Sequence, residues 1–172
     1  LKKEMGSDVN STSGTEPATK QKENEKCNVF RGAGFILAAD AKKIRPDLTL
    51  DMLWWSEPKW VSDSKDVFAA RYKWYKENLE AAYKNFGIKF DYLSANRNER
   101  GIEQDWIIYF SKALKSEKDC SYDYSSIKVV AADEENAWWI SENMKNNPQL
   151  KEAVDIIGSH YTSESTEATF EL

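Results

Sequence analysis

The sequence predicts an α/β fold in which about five parallel strands alternate with helices, as they do in part of a (β/α)8 (TIM) barrel. Short apolar runs alternate with amphipathic stretches along the chain, which is the pattern of parallel strands joined by helical crossovers. No glycine-rich phosphate loop follows any predicted strand, which disfavours the alternative of a doubly wound sheet. A closed barrel takes about 250 residues, so we expect residues 1–172 to be the central part of one barrel domain.

The first two predicted strands, residues 1–5 and 48–53, lie on either side of the first predicted helix. That helix covers residues 29–44, and Pro46 prevents it from continuing. Its apolar side chains are expected to share one face because of their helical spacing: Phe30, Leu37, Ala41 and Ile44.

The second predicted helix, residues 65–86, has the most regular pattern in the chain. Its apolar side chains recur at three- and four-residue steps: Phe68, Tyr72, Tyr75, Leu79, Ala82 and Phe86. Gly87 is expected to end this helix, because glycine adopts the backbone conformation of a helix C-terminus without steric cost. The third strand, residues 90–93, follows directly.

Two more units complete the prediction. A helix at residues 102–114 places Trp106, Tyr109 and Phe110 on its apolar side. A strand at 127–131 and a helix at 137–144, which ends before Pro148, come next. The last strand is predicted at residues 154–158, followed by a loop and a short helix.

Residues 6–25 are predicted to form a long loop, because they are rich in Ser, Thr, Lys and Glu and have no apolar period. Two interpretations are open: a mobile tail or linker, or a βα loop over the active face of the barrel. We adopt the second interpretation as the expected domain organisation.

Composition excludes several classes of function. The net charge of −5 argues against a broad surface for nucleic acid or an anionic membrane. No stretch approaches the roughly 18–20 apolar residues of a membrane helix. Cys27 and Cys120 match no metal or redox spacing, and we expect neither a cofactor nor a metal ion.

The residues that follow each strand are the candidates for a functional site, because these strand ends converge in a barrel. Trp55 follows the second predicted strand, the pair Asn98-Glu99 follows the third, Asp133-Glu134 the fourth and His160-Tyr161 the fifth. Aromatic rings, an amide, carboxylates and the single histidine of the chain therefore fall on one face. This combination predicts a carbohydrate site with stacking platforms, hydroxyl-binding groups and acids.

Six ordered motifs resemble glycoside hydrolase family 59, the galactocerebrosidase (galactosylceramidase) family. The motifs are Gly14-Thr15-Glu16-Pro17, Phe30-Arg31-Gly32, Ala41-Lys42-Lys43, Trp55-Ser56-Glu57-Pro58, Asn98-Glu99-Arg100 and Gly158-Ser159-His160-Tyr161. They span essentially the whole chain. The resemblance implies a TIM barrel with retaining β-glycosidase activity on terminal β-galactosyl groups of glycosides such as galactolipids. It also implies an extracellular or lysosomal location.

The resemblance assigns roles to individual residues. Glu99 matches the general acid/base, and Asn98 would hold the sugar 2-hydroxyl. Thr15 and Trp55 match sugar-binding positions, and the motif Gly158-Ser159-His160-Tyr161 adds His160 and Tyr161 as substrate-binding candidates. Structural interpretations remain open for three of them. Trp55 could equally be an aromatic residue of the core. Glu99 could be a solvated residue before a helix, and His160 could be a hydrogen-bonded structural residue.

Two departures from the family bear on substrate choice. Arg97 stands where the family carries a Trp, and Ala18-Thr19-Lys20-Gln21 replaces a His-containing stretch.

The nucleophilic Glu of the family lies on a later strand, and Glu164 falls too soon after the fifth strand for that role. We therefore expect the nucleophile and the remainder of the barrel outside this chain, so that residues 1–172 alone would be inactive. The alternative function is a catalytically inactive carbohydrate-binding barrel protein that lacks the second carboxylate.

Overall fold

The computed structural model describes the backbone of residues 2–4 and all of residues 17–160. The strands are β1 (Lys2–Glu4), β2 (Asp51–Trp54), β3 (Tyr92–Arg97), β4 (Lys128–Glu134) and β5 (Ile156–Ser159). The helices are α1 (Gly34–Ile44), α2 (Lys59–Ser62), α3 (Val67–Phe86), α4 (Gln104–Ser116), α5 (Trp139–Asn146) and α6 (Pro148–Ala153).

The five strands form one sheet in the order β1-β2-β3-β4-β5, and every neighbouring pair is parallel. Each strand therefore lies beside the one that precedes it in the chain. Consecutive strands of a (β/α)8 barrel have this order, whereas a doubly wound sheet reverses its order at a switch point. The predicted fold class, parallel strands alternating with helices as in part of a barrel, is confirmed.

The observed limits of helix α3 agree with the predicted limits, residues 65–86, to within two residues. The Asp66 side chain accepts a hydrogen bond from the backbone N–H of Ala69 at 3.0 Å, which caps the first turn. Gly87 follows the last turn with a left-handed φ of 68°. The buried face of α3 contributes Trp74, Tyr75 and Leu79 to a core that also contains Trp106 and Phe110 of α4.

The predicted apolar face of α1 is wrong. Leu37 and Ile44 are exposed, and the helix buries Phe35, Ala38 and Ala39 instead. The small alanines allow the helix backbone to approach the core closely, so the larger side chains at the other helical positions point outward. The helix also begins at Gly34 rather than at residue 29.

Two short helices, α2 and α6, lie outside the predicted set. The sequence analysis treated Pro148 only as a stop for the preceding helix. Pro148 is instead the first residue of α6, where proline loses no hydrogen bond. The Asn147 side chain caps α6 by accepting from the backbone N–H of Leu150 at 3.2 Å.

Strands β3 and β4 extend past their predicted ends at residues 93 and 131, to Arg97 and Glu134. The register of β4 against β5 shifts between Ala132 and Glu134, which inserts an irregularity at the carboxyl end of the strand. These extensions bring Asn96 and Asp133 into the sheet edge where the candidate site lies.

None of the helices in residues 17–160 combines the length and the apolar composition that a membrane crossing requires.

The described part of the predicted loop at residues 6–25 packs against α3. Thr19 Oγ1 donates a 2.7 Å hydrogen bond to Asn78 Oδ1, and the buried Lys20 pairs with Glu77. Trp60 Nε1 donates to the Lys20 carbonyl at 3.0 Å. Residues 18–20 are therefore fixed to the helical layer, while the place of this loop on the active face stays a prediction.

Candidate active site

The carboxyl ends of β3, β4 and β5 are joined by main-chain hydrogen bonds beyond the regular ladder. The Glu99 N–H donates to the Asp133 carbonyl at 3.1 Å, and the His160 N–H donates to the Glu134 carbonyl at 3.0 Å. The loop after each strand is thus held against the end of the next strand. This arrangement places the side chains of Glu99, Asp133 and His160 close together.

Left-handed backbone conformations concentrate at the same place. Among the described residues, positive φ angles outside glycine occur at Glu99 (56°), Ala132 (72°) and Asp133 (47°). Such a conformation costs about 1–2 kcal/mol at a residue with a Cβ, and strained backbone of this kind clusters at functional sites. Here it turns Glu99 and Asp133 toward His160.

His160 bridges two carboxylates. Its Nδ1 lies 3.1 Å from Glu99 Oε1, and its Nε2 lies 3.0 Å from Asp133 Oδ1. We call Glu99, His160 and Asp133 the His160 bridge. The Glu99 side chain is 40% exposed, the His160 side chain 19% and the Asp133 side chain 1%. The bridge therefore runs from an accessible carboxyl group, through the imidazole, to a buried one.

Glu134, beside the bridge, is the neighbouring carboxyl group on β4. Burial raises the pKa of the Glu134 carboxyl above its usual range. In the sequence analysis, Asp133 and Glu134 are the residues that follow the fourth predicted strand. The structure shows Asp133 as a hydrogen-bond partner of His160.

Two asparagines precede Glu99 on β3 and its turn. Asn96 is buried; its Nδ2 donates to the Gly101 carbonyl at 3.0 Å, and its Oδ1 accepts from the Ala132 N–H at 3.3 Å. It therefore secures the turn that carries Glu99 to the end of β4. Asn98 is also buried, and its N–H donates to the Trp54 carbonyl at 2.9 Å.

The two tryptophans after β2 differ in their surroundings. Trp54 is buried, and its Nε1 donates to the Ala95 carbonyl at 3.0 Å. Trp55 is half-buried, and its carbonyl accepts a hydrogen bond from Arg97 Nε.

A second charged cluster lies between the loops after β2 and β3 and helix α3. The buried Arg71 donates from Nε to Glu57 Oε2 at 2.7 Å and from Nη1 to Glu103 Oε2 at 2.8 Å. Its guanidinium carbon also lies 5.0 Å from the Trp54 ring and 4.8 Å from the Trp106 ring. We call Glu57, Arg71 and Glu103 the Arg71 bridge.

The Arg71 bridge lines a cleft of about 460 Å³ that also contacts Asn96, Arg97 and Arg100. Burial by itself would lower the pKa of the Arg71 guanidinium, but the carboxylates of Glu57 and Glu103 outweigh burial and raise it. Arg71 therefore keeps its charge, and its two partners have their charge compensated.

The structure brings some of the predicted site residues together. Glu99 and His160 are in contact, Asn98 precedes Glu99 in the same turn, and Trp55 is connected to that turn through Arg97. Thr15 and Tyr161 lie outside the described residues.

Arg71 was missed by the sequence analysis, although a signal was present. Residues 71, 75 and 78 lie at helical spacing on the buried face of α3, which places a charged residue among the core positions. A charge at such a position requires partners, because charged residues are almost never fully buried unless paired.

Chemically, the His160 bridge provides one accessible carboxyl group with a fixed orientation. Glu99 Oε1 faces His160, and no other hydrogen bond to this carboxyl group is seen among residues 17–160. Within that part of the chain, its second oxygen is open to a ligand. A carboxyl group held in this way can donate a proton to a substrate oxygen and later take one from water.

Residues 1–171 match glycosyl hydrolase family 59, which confirms the resemblance predicted from the motifs. The chain is 30% identical to a galactocerebrosidase of Danio rerio, with 96% of this chain and 24% of the relative aligned. It is 33% identical to a galactocerebrosidase of Salmo salar, over 96% of this chain and 24% of that one. The Homo sapiens galactocerebrosidase is 31% identical, over 94% and 23%. The chain thus spans about a quarter of the length of these curated relatives.

A solved structure of an endo-β1,6-glucanase has the same fold over the chain. The TM-score is 0.65 at 14% identity, and the match covers 99% of this chain and 45% of that one. At this level of identity the likeness shows the fold alone.

Proposed function

Because this chain belongs to glycosyl hydrolase family 59, we propose that it carries the acid/base part of a retaining β-glycosidase site. The observation that supports the proposal most is the position of Glu99. Its carboxyl group lies just past the end of a parallel strand, partly exposed and hydrogen-bonded through one oxygen to His160. Barrel enzymes carry their catalytic residues at this edge.

In the proposed reaction, Glu99 acts twice. In the first step its protonated carboxyl gives a proton to the glycosidic oxygen, while a second carboxylate attacks the anomeric carbon and forms a glycosyl-enzyme. In the second step the ionised Glu99 takes a proton from water, which attacks the same carbon and releases the sugar. The two displacements together retain the anomeric configuration.

A retaining site needs two carboxyl groups about 5–5.5 Å apart. Asp133 does not fit the role of nucleophile, because it is buried and its Oδ1 faces His160. We propose that the nucleophile is a Glu outside residues 1–172 and that the rest of the barrel supplies it. The proposed substrate is a terminal β-galactosyl group on a glycoside such as a galactolipid, in keeping with the galactocerebrosidase relatives.

The proposed sugar contacts come from the turn around Glu99 and from β2. Asn98 is proposed to bind the sugar 2-hydroxyl, and the half-buried Trp55 to offer its ring or its indole N–H. Thr15, His160 and Tyr161 stay proposed substrate-binding residues. Arg97, in place of the family's Trp, adds a cation beside Trp55 and is the residue most able to change substrate choice.

Azide rescue tests the proposal. In the complete gene product, Glu99→Ala should hydrolyse a nitrophenyl β-galactoside slowly, and azide should restore turnover by attacking the glycosyl-enzyme without needing a general base. The expected product is the β-galactosyl azide, whose configuration reports retention. Glu135→Ala, which removes an exposed carboxylate of the next loop, is the matched control and should behave as the wild type.

Three results would contradict the proposal. Full activity of Glu99→Ala would remove Glu99 from the mechanism. Formation of the α-azide would mean that azide displaces the leaving group directly without a glycosyl-enzyme, which contradicts the acid/base role of Glu99. Tight binding of galactosides by a wild-type protein that never turns them over would favour the inactive carbohydrate-binding barrel.

A further inference from the structure

We propose that His160 and Asp133 are positioning residues, which hold the Glu99 carboxyl group in one orientation through both steps of the reaction. This inference rests on the proposed acid/base role of Glu99. It adds a second role to the proposed substrate binding by His160, and it gives Asp133 a role in the chemistry of a residue on another strand.

The geometry defines what His160 does. Both of its ring nitrogens face carboxylate oxygens, at 3.1 Å from Glu99 Oε1 and 3.0 Å from Asp133 Oδ1. In the proposed arrangement the Nδ1–H of His160 donates to Glu99 Oε1, and the carboxyl group of the buried Asp133 holds the ring through Nε2.

This arrangement gives the two oxygens of the Glu99 carboxyl group different roles. Oε1 accepts from the Nδ1–H of His160 whether the carboxyl group is protonated on Oε2 or ionised, so the hydrogen bond survives both steps. Oε2 carries the proton that goes to the glycosidic oxygen and later receives the proton from water. The proton on Nδ1 stays on the ring throughout.

The backbone is built to hold Asp133 in this place. Ala132 and Asp133 both adopt left-handed conformations where the register of β4 against β5 shifts. The Asp133 carbonyl accepts from the Glu99 N–H at 3.1 Å, so Asp133 contacts Glu99 through the main chain as well as through His160. Strain of this kind persists only where the surrounding structure fixes it.

The adjacent strand leaves room for the Asp133 side chain because residue 158 is a glycine. A Cβ at Gly158 would lie 2.9 Å from Val130 Cγ1 and 3.3 Å from Asp133 Oδ1. The close approach of β5 to this carboxylate therefore requires glycine. Together these contacts fix the far end of the bridge more firmly than the exposed end.

A positioning role and a purely structural role predict different kinetics. A substrate with a poor leaving group, such as an alkyl β-galactoside, needs the proton from Glu99, whereas a dinitrophenyl β-galactoside departs without it. Misplacement of a catalytic group by about 1 Å can cost about 100-fold in rate. Loss of orientation should therefore reduce kcat/KM about 10- to 100-fold for the alkyl substrate and little for the other.

The experiment compares His160→Ala, Asp133→Asn and the control Glu135→Gln in the complete gene product with both substrates. We expect the first two variants to lose activity selectively on the alkyl β-galactoside, and the control to match the wild type. Asp133→Asn keeps the shape of the side chain and removes its charge, so it tests the bridge even where His160→Ala does not fold. Equal losses on both substrates, or no loss, would overturn the proposal.

A double-mutant cycle separates this inference from the proposed function. If His160 acts through Glu99, then adding His160→Ala to Glu99→Gln should cause no further loss on the alkyl substrate. Full activity of Glu99→Gln alone would overturn the proposed function. A strong effect of Glu99→Gln with independent, additive losses from His160→Ala would overturn the positioning role and leave the proposed function in place.

Discussion

The His160 bridge and the Arg71 bridge have the same arrangement, but they differ in which carboxyl groups they leave accessible to a ligand. In each, one basic side chain lies between two carboxylates from different segments of the chain. Arg71 is buried between two tryptophan rings, and several of its own N–H groups donate to the carboxylates of Glu57 and Glu103. His160 makes one contact to each partner and ends at the exposed carboxyl group of Glu99.

The difference follows from the two side chains. A guanidinium is always charged, and its planar set of donors holds carboxylates in fixed positions. It suits a permanent connection between α3 and the loops after β2 and β3. An imidazole has a single donor or acceptor at each nitrogen, so it fixes one oxygen of a carboxylate and leaves the other for a ligand. The comparison predicts that the Arg71 bridge determines stability and the His160 bridge determines chemistry.

Removing the guanidinium should have the largest effect on stability. Arg71→Ala leaves Glu57 largely buried with its charge uncompensated, and breaking a buried ion pair costs about 3–5 kcal/mol. We expect urea denaturation of the complete gene product to show this loss in the transition that includes the barrel. The ratio of kcat/KM values for alkyl and dinitrophenyl β-galactosides should stay at its wild-type value.

Arg45→Ala is the matched control for this change, because Arg45 also pairs with a carboxylate but both side chains are exposed. It should leave the denaturation midpoint unchanged. A selective loss of alkyl β-galactoside hydrolysis in Arg71→Ala would place Arg71 in the catalytic machinery and contradict the comparison.

A smaller effect is expected at Gly158, where the His160 bridge meets β5. Gly158→Ala introduces a Cβ at 2.9 Å from Val130 Cγ1, and overpacking of this kind costs about 1–3 kcal/mol. Because the new atom also approaches Asp133 Oδ1, this variant should reduce alkyl β-galactoside hydrolysis selectively as well. Gly101→Ala meets open space and should change neither quantity. Wild-type kinetics in a destabilised Gly158→Ala protein would show that the bridge tolerates displacement.

Much of the fold could be predicted from the sequence, because local patterns carry it. The apolar runs gave five strands in the observed places, and Gly87 marked the end of α3. The buried face of α1 could not be predicted from hydrophobicity, because the small Ala38 and Ala39 are buried there while the larger Leu37 is exposed. Helix α6 was not predicted, because a proline can end one helix and can also be the first residue of the next.

The site was predictable only in part. The convergence of strand ends places Glu99 and His160 on one edge, and the structure shows them in contact. The role of Asp133 depends on the left-handed backbone conformation of Ala132 and Asp133. This conformation is uncommon for residues with a Cβ, so neither residue type predicts it from the sequence. Long-range contacts of this kind follow from the assembled sheet, not from any short segment.

The most direct test of the central claim is the leaving-group dependence of Glu99→Gln in the complete gene product. The measurement is log kcat/KM for a series of aryl and alkyl β-galactosides, plotted against the acidity of the leaving alcohol. If Glu99 is the general acid, the wild type should show a shallow slope and Glu99→Gln a steep one. The loss should be about 100- to 10,000-fold for the poorest leaving groups and small for the best. Parallel slopes for the two proteins would show that Glu99 does not protonate the leaving group.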